Sequence, residues 1–140
     1  MGKRLTTAAV SAALVATSCS GCFAQDDNAT QKTAHITVDN KSRTSHTVTC
    51  SQVNWLLTAN ISVAPANVRV LLRLDPDKPK VESVHFDNFA GFSGVSNAGA
   101  GDAKIRVVKD IYTITGNATG TQLDDPRVSV TEPFSIEVGC

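Results

Sequence analysis

Between residues 34 and 140 the chain is built from short runs in which apolar and polar residues alternate, most of them closed by a turn signal. The last run is the cleanest. Phe134, Ile136, Val138 and Cys140 fall on one side of an extended chain, with Ser135, Glu137 and Gly139 on the other. Val68, Val70, Leu72 and Leu74 alternate with Arg69 and Arg73 in the same manner. A period of two suits a strand with one buried face and does not fit the 3.6-residue period of a helix. The turn Asp75-Pro76-Asp77-Lys78-Pro79 follows, and Val81 to Phe86 returns with Val84 and Phe86 inward, so these two runs predict a hairpin. Further strands are expected over His35 to Val38 before an Asp39-Asn40 turn, Ser45 to Cys50, Asn54 to Val63, Ala103 to Val107 and Tyr112 to Thr115. Phe89 to Gly101 holds four glycines in thirteen residues and reads as a loose loop or irregular edge. Gly116 to Pro126 reads as a second polar loop. The expectation is an all-β, antiparallel β-sandwich or open barrel of about seven to eight short strands.

The first 22 residues are of a different kind. Lys3 and Arg4 form a basic tip, an apolar small-residue run extends from Leu5 to Val15, and Ser20-Gly21-Cys22 closes it. That order describes an export signal, and the run falls short of the about 20 apolar residues of a membrane span. A cysteine after Ser-Gly resembles a lipoprotein acylation site. Residues 1–21 are therefore expected to be a lipoprotein signal peptide, 22–33 a lipidated N-terminus and polar tether, and 34–140 the β domain. Cys22 is preferred for acylation because Ser20-Gly21 suits the peptidase, with Cys19, after Ala16-Thr17-Ser18, as the alternative. The location that follows is the cell membrane or envelope, lipid-anchored on the extracytoplasmic side. Removing residues 1–21 leaves 11 basic against 13 acidic residues, a net charge of −2. A near-neutral surface argues against a nucleic-acid partner, because phosphate contacts dominate that affinity.

Catalytic and metal-binding patterns are weak. Cys19-Ser20-Gly21-Cys22 has redox-motif spacing without its strand–helix context. His35, His46 and His85 lie on separate strands, so no metal is expected. Gly91 precedes Ser93 by two, but Val95 stands where a nucleophile elbow needs glycine, and Asp124-Asp125 reads as a solvated turn. No cofactor and no enzymatic activity are expected.

The Ser20-Gly21-Cys22 anchor, Val48-Thr49-Cys50, Lys80-Val81-Glu82-Ser83-Val84, the run from Tyr112 to Gly120 and the terminal Phe134 to Cys140 together resemble the mycobacterial 19 kDa lipoprotein antigen family. The tether is shorter and poorer in threonine than is usual there, which suits a paralogue. The resemblance implies an acylated, non-enzymatic envelope lipoprotein, a surface antigen met by host innate receptors through its lipidated N-terminus. Cys50 and Cys140, both on inward faces of predicted strands in an oxidising compartment, are expected to form a disulfide, and the resemblance agrees. Phe86, Phe89, Phe92 and Val95 have two readings: ordinary core packing, or the rim of an apolar mouth through which the domain binds or carries a lipid or glycolipid. The alternative is a structural or host-interaction antigen without a pocket.

Overall fold

A computed structural model describes residues 32–98 and 102–140. It contains ten strands: β1 (Ala34–Val38), β2 (Lys41–Ser45), β3 (Thr47–Val53), β4 (Leu56–Val63), β5 (Ala66–Arg73), β6 (Lys80–Phe89), β7 (Phe92–Asn97), β8 (Lys104–Val108), β9 (Ile111–Gln122) and β10 (Asp125–Gly139). All pairings are antiparallel, in the order β2-β1-β10-β9-β7-β6-β5-β4-β3, with β8 also paired to β9. The two ends of this path, β2 and β3, are consecutive in the chain, so the sheet curls until they meet in a barrel that is nearly closed. At the corner, the Ser45 hydroxyl donates to the Ser62 carbonyl and accepts from the Thr47 N–H.

The core is the set of inward residues that the alternation marks. Ile36, Leu57, Ile61, Val68, Val70, Leu72, Val84, Ile114, Ile136 and Val138 are all buried. The Val68–Leu74 and Val81–Phe86 runs pair as a hairpin, with Val70 opposite Val84 and Val68 opposite Phe86. Asp39 and Asn40 both take positive φ, the backbone of a two-residue hairpin turn between β1 and β2.

Two strands had no clear signal. β2 reads Lys-Ser-Arg-Thr-Ser and buries only Ser45, so hydropathy does not mark it. β7 falls in the glycine-rich segment expected to be a loose loop or an irregular edge. Its glycines have another purpose there. Gly94 lies directly opposite Gly120 in the β7–β9 ladder, and a side chain at Gly120 would collide with the Ser93 carbonyl. Glycine inside a strand can mark close approach of a second backbone rather than a break. Gly120→Ala is expected to cost about 2 kcal/mol through overpacking, seen as a lower urea midpoint. Gly139→Ala is the control: its nearest neighbours would lie at 3.7 Å, an ordinary contact, and the midpoint should scarcely move.

The polar run after Gly116 is also strand. β9 continues to Gln122 and β10 starts at Asp125, with Thr119 opposite Thr131 and their hydroxyls 3.0 Å apart. Cross-strand threonines stabilise a solvated sheet face without any apolar alternation.

Candidate functional site

Of the residues expected at an apolar mouth, three are inside the core. Phe89 is 0% exposed, Phe92 2% and Phe86 4%. Phe86 is the hub. Its ring centroid lies 6.3 Å from Phe89, 6.0 Å from Phe92 and 5.2 Å from Phe134, in edge-on or tilted arrangements. These distances fall in the favourable range for aromatic pairs. The Arg43 guanidinium stands 5.9 Å over the Phe89 ring and covers the cluster from β2. Val95 is half-buried and belongs to the opposite face of β7 from Phe92, Gly94 and Ser96. The mouth reading is thus corrected: the phenylalanines fill the barrel at the β6–β7 turn, and Val95 does not join them. The reason is the strand register. Phe92 opposes Phe89 across the Ala90–Gly91 turn, and the register shift in β6 between Phe86 and Phe89, with Asn88 at positive φ, brings both of those rings to the inner face.

Cys50 and Cys140 are joined, with S–S 2.00 Å and Cα–Cα 5.9 Å. The bridge ties the open-edge strand β3 to the end of β10, across the place where the sheet's two ends meet. Cys22 and Cys19 lie outside the described residues.

The histidines go to separate places. His35 Nδ1 pairs with the Thr44 hydroxyl at 2.9 Å, His46 is exposed at the β2–β3 corner, and His85 stands on the outer face of β6. Ser93 Oγ accepts the Asn88 N–H at 2.9 Å, so it clamps the β6–β7 turn. Asp125 caps its own turn, accepting weakly from the Arg127 N–H at 3.4 Å.

Among the described residues a concavity lies elsewhere, on the outer face of β3, β4, β5 and β6, with a volume near 340 Å³. Its floor consists of two cross-strand rows set by the register. Thr49, Asn60, Arg69 and His85 stand opposite one another in turn. The second row, Thr47, Ser62, Asn67 and Asp87, runs beside it. Arg69 Nε donates to Asn60 Oδ1 at 3.1 Å, tying the guanidinium to its cross-strand neighbour. The outward groups are hydroxyls, amides, the Arg69 guanidinium, the His85 imidazole and the Asp87 carboxylate, a set that can make polar contacts. Sequence reasoning missed it because these side chains are simply the outward positions of the alternation; only the pairing of four strands brings them into rows. Further along the same strands, Arg73 Nε donates to Glu82 Oε1 at 2.7 Å. That hydrogen bond raises the Arg73 guanidinium and lowers the Glu82 carboxyl from their ordinary values.

Residues 27–140, the whole β domain, match the sequence pattern of the Mycobacterium 19 kDa lipoprotein antigen family. The chain belongs to this family. A protein of Mycobacterium avium subsp. hominissuis, named only as a lipoprotein, is 35% identical over 96% of this chain and 94% of its own length. The lipoprotein LppE of Mycobacterium tuberculosis is 30% identical over the full length of both. The lipoprotein LpqH of Mycobacterium avium is 31% identical over 75% of this chain and 66% of its own. For a 19 kDa-family member, the barrel described above is therefore the extension of an envelope lipoprotein.

Proposed function

We propose that this chain is an acyl-anchored lipoprotein of the mycobacterial envelope, held at Cys22 on the extracytoplasmic side, and that its β domain acts through its outer surface rather than by enclosing an apolar ligand. The observation that carries the second half is the aromatic filling of the barrel: Phe86, Phe89, Phe92 and Phe134 occupy the space a lipid tail would need. The first half is supported by relatives named as lipoproteins and by the small residues before Cys22. The family's description as an antigen supports a role in which the lipidated N-terminus and the exposed sheet meet a host. No catalytic activity is assigned to it.

The test is fatty-acid labelling in a mycobacterial host, with the membrane fraction followed in parallel. Cys22→Ala is expected to abolish both the label and membrane retention, whereas Cys19→Ala should keep both. Label that survives Cys22→Ala and disappears with Cys19→Ala would move the anchor. Native mass spectrometry of the exported protein, showing one apolar molecule per domain, would restore the carrier reading.

A further inference from the structure

We propose that the end of the barrel at which the chain enters β1 is a membrane-docking surface, with the β3–β4 and β8–β9 hairpin tips resting Val53, Trp55 and Val108 in the interfacial layer of the lipid. This rests on the acyl-anchor reading above.

The described residues include eight large apolar side chains that stand exposed. Six of them, Val53, Trp55, Leu56, Val107, Val108 and Ile111, belong to those two hairpins. Val53 is 70% exposed, Val108 56% and Trp55 54%. Single exposed apolar residues are ordinary on a protein surface; gathering at two tips on one end is not. Backbone bonds place both tips at that end. Gly139 pairs with Ile111 and donates its N–H to the Thr33 carbonyl, so β8–β9 sits beside the start of β1. The Cys140 N–H donates to the Asp110 carbonyl at the β8–β9 turn, and Cys140 is bonded to Cys50, three residues before Val53.

The anchor determines which surface is near the lipid. The ten-residue step from Cys22 to Lys32 spans at most about 35 Å, and Lys32 leads directly into β1. The entering end is therefore the part of the domain tied closest to the anchor, while the two remaining exposed apolar residues, Leu123 and Val128, are carried by the β9–β10 hairpin at the opposite end. Tethering makes docking intramolecular, at an effective concentration in the millimolar range for a short linker, so a weak apolar contact is enough to orient the domain. Tryptophan suits that layer, with a large apolar ring and one N–H for the headgroup region. Lys109 and Asp110 leave the β8–β9 tip near neutral, so the contact is apolar and should be insensitive to salt.

Trp55 is the chain's only tryptophan and reports its own environment. The acylated full chain is reconstituted in phosphatidylcholine/phosphatidylglycerol vesicles, with and without doxyl-labelled phosphatidylcholine. Trp55 emission is expected to shift to shorter wavelength and to fall about two-fold with shallow doxyl groups, as for an interfacial ring, equally at low and high salt. In the variant Trp55→Phe/Leu123→Trp, the far-end reporter should remain unquenched. Trp55 emission unchanged by doxyl lipid would overturn the proposal, as would equal quenching of both reporters. An emission shift that depends on protein density but not on doxyl lipid would also overturn it, assigning the tips to contact between copies. Should the chain fail to float with the vesicles, the anchor reading fails by itself; Cys22 is then coupled to maleimide lipid and the same quenching is read, so the two failures remain distinct.

Discussion

Phe92→Asp is expected to unfold most of the β domain. Phe92 is 2% exposed, its ring centroid lies 6.0 Å from that of Phe86, and Phe86 also meets Phe89 and Phe134. Truncating a buried phenylalanine costs about 3–5 kcal/mol, and a carboxylate in its place adds the penalty of a buried, unpaired charge. The sum approaches the whole stability of an ordinary domain, about 5–15 kcal/mol. Circular dichroism should show a lost or strongly lowered thermal transition, while Phe92→Leu should retain a cooperative melt. The same variant separates the two functional readings. A phenylalanine at the lip of a pocket could become aspartate with little change in melting temperature and a loss of lipid binding. A normal melt for Phe92→Asp would therefore reopen the carrier reading that the packing argues against.

That reversal shows what kind of information the sequence carries. The inward residues of the long strands were legible, because Val68, Val70, Leu72, Ile136 and Val138 sit in unbroken alternation and burial follows directly from it. The β5–β6 hairpin and the Asp39-Asn40 turn were legible for the same local reason. Strand β7 was not. Its glycines look like flexibility along the chain and turn out to be clearance across it, a relation that exists only once Gly94 faces Gly120. The phenylalanines were left open between core and mouth for a similar reason. Their spacing at 86, 89 and 92 does not keep to the period of a single strand, and only the register shift in β6 at Asn88 together with the Ala90–Gly91 turn brings all three inward. The polar rows from Thr49 to His85 are a property of four-strand register, which local pattern does not encode.

The second large effect is expected from the bridge. Replacing both Cys50 and Cys140 with alanine should lower stability by about 4 kcal/mol, the chain-entropy value for a long loop; here the cysteines are 90 residues apart. The location makes the loss local as well as global. The pairing path ends at β2 on one side and β3 on the other, so β3 receives a strand ladder from β4 alone. Beyond that ladder it is held by the Thr47 N–H donating to the Ser45 hydroxyl and by the sulfur bridge to the end of β10. Without that bridge, residues 139 and 140 keep their backbone bonds to the Thr33 and Asp110 carbonyls but lose their tie to β3. Hydrogen exchange should accelerate first in β3 and in the last residues of β10, with β5 and β6 protected until global unfolding. Urea denaturation gives the magnitude, and reductant supplies the internal control. It should lower the midpoint of the native protein to near that of the double variant and leave the double variant unchanged. Equal midpoints for native and variant protein without reductant would mean that the β1–β10 ladder and the core hold the seam unaided, and that the bridge contributes little to closing the barrel.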